Sequence, residues 1–459
     1  MRLLYLGSTD FPQPKARAIQ IVNTCHALAR AGAEVTLVVG RRGRRGVERG
    51  LRVYGLAPHP RLRIVRVPIF HIPPTVPAAV LRQFTRVWQA SYLAGLATVL
   101  PRELAIRRPD VVFARDLRTA RIAARPTHAT GAKLAFEVHG LPSYEVRHGA
   151  GRSTLPPAEA ERLRRLESEV FARADRIVTI TECARRILLG EYGVPEFRVR
   201  TVADGTTILE AAAAPMASAR HGAGTAVLVG AAPPPDAIER GQHPHSLSPG
   251  GPASPPILGG GGAKLTNSIA EGAGAVPHVY YVGQLYPWKG AGLVVDVAGL
   301  VPEAHFVVVG GTPAGPDGDP DVAALTRRID EAGAGDRVEL RGYVPYGQVP
   351  AQLREASVAL LPLPDEPVAR YFTSPLKLFD YMAAGVPIVA SDLPSIREVL
   401  RHGENGLLAT PGDLHAFAGA VRCLLNDPAY ARRLGDQARE DVRRYSWDAR
   451  ASRLLEFLA

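Results

Sequence analysis

Five short apolar runs recur in the first two hundred residues, each set apart from the next by a stretch with helical spacing. They are LLYLG (3–7), VTLVV (35–39), DVVFA (110–114), LAFEV (134–138) and RIVTI (176–180), with amphipathic stretches such as 16–31 and 159–174 between them. Strands that are apolar on both faces and joined through helices must run parallel in a covered sheet, so this pattern predicts an α/β doubly wound lobe over residues 1–208. The pattern returns over 276–459 with VYYVG (279–283), HFVVVG (305–310), RVELR (337–341), ASVALL (356–361) and VPIVAS (386–391). Helices are expected there at 321–333, 375–384, 412–425 and 447–458, the last one packing back on the first lobe. Between the lobes, 209–275 is rich in Pro, Gly, Ser and Ala and keeps no period. It reads as a flexible insert, and His243 and His245 within it read as solvated rather than metal-binding. Ligands of open α/β sheets bind beyond the carboxyl ends of the strands, so the expected functional site is the cleft between the lobes.

The chain has 459 residues, 46% hydrophobic and 22% charged, which excludes wholesale disorder and a fibrous rod. No apolar stretch is long enough to span a bilayer, and the opening MRLLYLGSTDF reads as a buried strand rather than a secretion signal. Cys25, Cys183 and Cys423 show no ligand spacing, which suits a reducing cytoplasm. The net charge of +11 is uneven. Residues 1–200 hold 34 Lys and Arg against 16 Asp and Glu, and the rest hold 21 against 28. Between Glu48 and Glu103 there is no acidic residue. This one-signed stretch reads either as a face for an anionic partner or as a solvated basic surface. Within it, 77–99 carries Val80, Phe84, Val87, Trp88, Ala94 and Leu96 with Arg82 and Arg86, a helix that lies on an anionic membrane or packs in the core.

The most informative segment is Ser374-Pro375-Leu376-Lys377-Leu378-Phe379-Asp380 through Gly385. Ser374 suits an N-cap, Pro375 the first helical position and Gly385 the end. The free amides of Leu376 and Lys377, with the helix dipole and the Lys377 ammonium, form a site for a phosphate. Asp380, three residues on, can accept two hydroxyl hydrogen bonds, as the adjacent hydroxyls of a ribose would offer. Val282-Gly283-Gln284-Leu285-Tyr286-Pro287-Trp288-Lys289-Gly290 follows a strand and opens a helix, with Gly283 admitting close approach and Lys289 reaching a phosphate. The acidic cluster Asp317-Gly318-Asp319-Pro320-Asp321 lacks the spacing of a calcium loop and reads as helix capping by Asp319 or Asp321.

These segments, together with HFVVVGG, RVELRGYVP and HGENGLL and, in the first lobe, RAIQIVNTCHALARAGAEVTLVV, ARDL, FEVHG and ITECARRILLGEYGVPEFRVRTVADGT, resemble the family 4 glycosyltransferases. The resemblance covers the chain outside 209–275 and implies the GT-B fold, two Rossmann-like domains facing across a cleft. It implies sugar transfer from a nucleotide-diphosphate donor to a glycan or lipid-linked acceptor with retention of configuration. It implies no metal and no cofactor beyond the donor itself; no nucleic acid is expected. It places His139 beside the reacting sugar. Glu137, within the same strand, is expected to point elsewhere because side chains alternate. Lys289 matches the family's diphosphate lysine, Gln284 stands where an arginine is usual, and the family's paired glutamates fall on Phe372 and Asp380. Gly7, Ser8 and Arg115 are acceptor-side candidates, and Asp204-Gly205 matches the turn that leaves the first lobe. Two other activities share this fold or these departures: a nucleotide-sugar 2-epimerase, and a partner subunit that binds the nucleotide without turnover.

Overall fold

The computed structural model describes residues 1–41, 46–70, 78–148, 156–207, 276–313 and 318–459. The insert 209–275 and Asp317 lie outside these, as do the side chains of Val80, Arg82 and Phe84. The first lobe is a seven-stranded parallel sheet of β1 (Arg2–Phe11), β2 (Glu34–Arg41), β3 (Leu62–Val67), β4 (Val111–Ala114), β5 (Lys133–Val138), β6 (Arg176–Thr179) and β7 (Val199–Thr201), in the order β3-β2-β1-β4-β5-β6-β7. The second has six parallel strands: β8 (His278–Val282), β9 (His305–Val309), β10 (Val338–Gly342), β11 (Val358–Leu361), β12 (Ile388–Ser391) and β13 (Leu407–Ala409), in the order β10-β9-β8-β11-β12-β13. Each lobe is thus a doubly wound Rossmann-like sheet whose strand order reverses between its first and fourth strands, and together they form the two-domain GT-B architecture. The central strands are buried along their length, which is why their sequences read as unbroken apolar runs.

Three strands escaped the pattern. β7 and β13 have three residues each, and β3 (LRIVRV) is a half-exposed edge strand within the basic stretch. That stretch also forms the helix Ala78–Arg107. From Trp88 onward this helix packs in the core: Tyr92, Leu96, Leu100 and Leu104, four residues apart, are buried, and the Trp88 indole donates to Asp10 at 2.7 Å. Among the described residues no helix is long and apolar enough to cross a membrane.

The last helix, Trp447–Leu458, follows the second lobe in the chain but belongs to the first-lobe core. Trp447, Ala451, Leu454 and Phe457 cluster with Tyr5, Val22, Leu28 and Phe113. Ser446 caps it, accepting from the Ala449 amide, and pairs by a β-bridge with Thr206. Gly205 is required there, because a Cβ would collide with the backbone at Tyr445–Trp447.

Candidate functional site

A cleft opens beyond the carboxyl ends of β8 and β9. Its second-lobe wall holds Gly283, Gln284 and Lys289, Gly310 and Gly311, Tyr343, Val344 and Tyr346, and Pro375, Leu376, Lys377 and Asp380; Pro14, Ala16, Ile19 and Val53 of the first lobe face them. The helix at its floor runs Leu376–Ala384 and closes on Gly385 with φ 67°, a left-handed conformation suited to glycine. Its start differs from the sequence expectation. Pro375, in an extended conformation (ψ 117°), is itself the N-cap and makes no side-chain cap bond. Ser374 therefore stands one residue outside the helix, and its hydroxyl accepts from the Asp204 amide at 3.0 Å. The Leu376 and Lys377 amides remain in the first turn, where no intrahelical carbonyl can reach them.

Three side chains set the electrostatics of this cleft. The Lys377 ammonium donates to the Tyr281 hydroxyl at 2.8 Å and lies 4.0 Å from that ring's centroid. Gly283 makes room for it, since a Cβ there would come within 3.1 Å of Lys377 Cε. Tyr281 in turn donates to the Gln284 carbonyl at 2.8 Å. Lys289 sits in the short turn Pro287–Lys289 ahead of the helix Ala291–Leu300, its ammonium 3.7 Å from the Trp288 ring centroid. Desolvation, and then the like charge of Lys289, holds Lys377 well below the usual lysine range. Asp380 is buried, and its Oδ1 accepts from Thr206 at 2.8 Å and Tyr346 at 3.0 Å. Burial pushes its carboxyl up to about 7, against the opposing pull of these two hydroxyls. Phe372 packs among first-lobe residues, with its ring 5.7 Å from that of Tyr144.

The first-lobe candidates do not line this cleft. Gly7 and Ser8 lie inside β1, which runs to Phe11, rather than after it. A Cβ on Gly7 would press on Ile21, Leu37 and Val39, so this position faces the apolar core and not the cleft. Ser8 Oγ, Arg115 Nε and Asp204 Oδ1 are buried without hydrogen-bond partners among the described residues. Arg115 Nη1 donates to Gln20 at 2.6 Å. His139 Nε2 is 3.0 Å from Glu137 Oε2, which overturns the expectation that Glu137 points elsewhere. Residues two apart on a strand share a face. Glu137 is fully buried and pairs with Arg450 of the last helix. Burial alone would raise its carboxyl, but Arg450, then His139 and Arg115, carry it far below the usual range. His139 is held below the ordinary histidine value by desolvation and by Arg115, so the imidazole is neutral near pH 7. Asp319 caps the helix Pro320–Glu331, accepting from the Asp321 and Val322 amides.

Sequence reasoning missed Tyr281, Tyr346, Thr206 and Arg450, and also the clamps between the lobes. The Glu398 carboxylate accepts the Glu182 and Cys183 amides at 2.7 and 2.8 Å, and the Thr181 hydroxyl donates to the Tyr371 carbonyl. Only the ionisable or hydroxylic character of these residues was visible in the sequence, because the partners that matter lie far along the chain, from 34 residues for Tyr346 and Asp380 to 313 for Arg450 and Glu137.

Comparison with known proteins gives two matches to family models: residues 18–205 to a glycosyl transferase 4-like domain, and residues 276–427 to the glycosyl transferases group 1. A D-inositol 3-phosphate glycosyltransferase of Corynebacterium glutamicum (strain R) is 30% identical over 181 residues, 38% of this chain and 41% of that relative. The match thus spans about two fifths of the relative's length. Among solved structures, a sucrose-phosphate synthase from Thermosynechococcus elongatus superposes with a TM-score of 0.70 at 19% identity, covering 99% of this chain and 98% of that one. Anabaena HepE in complex with UDP and glucose superposes with a TM-score of 0.62 at 15% identity, covering 100% and 99%.

Proposed function

Since the chain belongs to the family 4 glycosyl transferases, we propose that it moves a sugar from a nucleoside-diphosphate donor held on the second lobe to a hydroxyl of an acceptor held at the first. The observation that carries this reading is the pair of lysines, Lys289 and Lys377, lining one cleft with the first turn of the Leu376–Ala384 helix. Two ammonium groups that raise each other's cost of charging are complemented by a polyanion. In this reading the diphosphate rests on the Leu376 and Lys377 amides and both lysines, with Gln284 beside them in place of a second guanidinium. Asp380 takes the pentose through Oδ2, since Oδ1 already accepts two hydroxyls. A donor of this class agrees with the UDP and glucose bound to the similarly folded HepE.

The chemistry follows from these positions. As the bond from the sugar to the diphosphate breaks, negative charge grows on the departing phosphate, where the lysines and helix amides already stand. The acceptor hydroxyl attacks on the face the diphosphate leaves, giving retention, and the leaving phosphate oxygen takes its proton. His139 serves as a neutral hydrogen-bonding group to the sugar. A polyhydroxylated acceptor would meet the first-lobe side of the cleft, at Pro14, Ala16, Ile19 and Val53, since Ser8, Arg115 and Asp204 are buried and do not line it. The name of the Corynebacterium relative is consistent with such an acceptor, as glycans and lipid-linked sugars would also be. A reducing cytoplasm, at the inner membrane face where the acceptor is lipid-linked, suits the proposal.

A thermal-shift screen of nucleoside-diphosphate sugars, followed by crystals soaked in UDP or GDP, tests it. A nucleotide seated against Leu376 and Lys377 is expected. A nucleotide lodged elsewhere sinks the reading. Release of an epimerised nucleotide sugar without acceptor assigns the chain to the isomerases, and tight binding with no transfer across an acceptor panel assigns it a non-catalytic role.

A further inference from the structure

Among the apolar side chains on the inner face of the Trp447–Leu458 helix stands Arg450, 1% exposed. A guanidinium is kept in such a place only when its donors are met. Here Nε donates to Thr24 Oγ1 at 3.2 Å, Nη1 to the carbonyls of Val202 and Ala203 at 2.5 and 2.7 Å, and Nη2 to Glu137 Oε1. The same carboxylate presents its other oxygen, Oε2, to His139 Nε2 at 3.0 Å. Glu137 therefore stands between a guanidinium supplied by the end of the chain and an imidazole at the carboxyl end of β5. Tyr5 at 3.3 Å and Gln20 at 3.3 and 3.4 Å complete its surroundings.

We propose that Arg450, acting through Glu137, is a positioning residue for His139: it fixes where the carboxylate stands and how much of its charge the imidazole meets. The proposal rests on the functional reading that places His139 beside the transferred sugar. An apolar residue at 450 could fill the volume of the guanidinium, but on its own it leaves the buried Glu137 carboxylate without its partner. It would not hold a carboxylate against the ring. The groups facing His139 are Glu137 from its own strand, Arg115 from the end of β4 and Asp204 from the segment after β7. Burial and Arg115 favour the neutral ring; Glu137 and Asp204 favour the charged one. Arg450 shares the Glu137 charge and so tips this balance toward neutral. Without it, His139 becomes the cation closest to that carboxylate.

The test is an NMR titration of the His139 ring in the full chain, alongside pH profiles of kcat/KM for sugar transfer. Arg450→Met should raise the His139 midpoint by about one pH unit or more, as a newly dominant carboxylate does. The acidic limb of the rate profile should move up with it. An unmoved midpoint in the folded variant overturns the proposal. Should Arg450→Met fail to fold, the double variant Glu137→Gln/Arg450→Met removes both charges of that pair while Asp204 stays in place. Its His139 midpoint should fall below that of the wild type, and an unchanged midpoint again overturns the proposal. A shifted midpoint with a wild-type rate profile overturns the positioning role as well. The titration uses no nucleotide sugar. A wild-type protein that binds no donor therefore refutes the functional reading, while the His139 shift is scored independently.

Discussion

Both sheets run in the same strand order, yet their carboxyl ends are furnished in opposite ways. The second lobe carries two lysines, one of them pressed well below its normal range by desolvation and by the other, and a carboxyl raised to about 7. The first lobe carries Glu137 and Arg450, opposite charges already matched in its interior. One end brings two like charges together, the other two opposite charges. Under the proposed function, that contrast separates a surface arranged to receive an anion from one arranged to hold a neutral ring in place.

Breaking the matched end should have the largest effect. Glu137→Ala or Arg450→Ala alone strands a buried charge and should cost about 3–5 kcal/mol in urea unfolding, whereas Glu137→Leu/Arg450→Met should recover most of it. Single variants as stable as the wild type would erase the contrast between the lobes. At the second-lobe end the expected signature is reversed. Lys377→Met should lower kcat/KM by about 10²–10³, the usual cost of one preorganised transition-state donor. Its melting temperature should hold or rise, because removing Lys377 relieves both its desolvation and the repulsion from Lys289. Wild-type turnover together with a collapse in melting temperature would mean that Lys377 is structural.

The two ends also differed in how far the sequence disclosed them. Gly283, Gln284 and Lys289 fall within seven residues, and Leu376, Lys377 and Asp380 within five, because one strand-to-helix turn carries the first three and one helical turn the others. Local chemistry was enough to find them. The Ser374 cap was misplaced by one residue because Pro375 took the capping position itself. The first-lobe network joins residues 5, 20, 115, 137, 139, 204 and 450, which meet only because parallel strands and a returning helix bring them together. Nothing in the spacing of Glu137 and Arg450, 313 residues apart, announces a pair. Strand alternation puts residues two apart on one side, and Glu137 indeed faces His139, contrary to the expectation that it points elsewhere. The strands themselves were legible wherever both faces are buried, and β3, half-exposed at an edge, was not.

Asp380 offers a finer probe of the second-lobe end. Its folded-state carboxyl is raised from 3.8 to about 7, so the folded protein favours the protonated form. The resulting stability is fully present below about pH 4 and is lost as pH rises through 7, on the order of 2–4 kcal/mol. Asp380→Asn should remove this slope, leaving wild type and variant diverging between pH 4 and 7 in urea titrations. Parallel curves would place Asp380 in a wetter setting than its burial indicates.

The smallest effect is the most specific to the contrast. A diphosphate against Lys377 restores the ammonium that desolvation and Lys289 disfavour, so its proton affinity rises on binding. Between the depressed value of the free protein and the raised value of the complex, binding takes up as much as one proton. Affinity for UDP or GDP then falls as pH rises, by at most about tenfold per unit. Calorimetry in two buffers of different ionisation enthalpy measures this uptake directly, and Lys377→Met should abolish it. A neutral acceptor meeting the first lobe should exchange no such proton, because Glu137 is already satisfied by Arg450 before any ligand arrives. Proton uptake that persists in Lys377→Met would move the linkage to Asp380, whose carboxyl is raised to about 7, and would shift the seat of the effect from the lysines to the carboxyl.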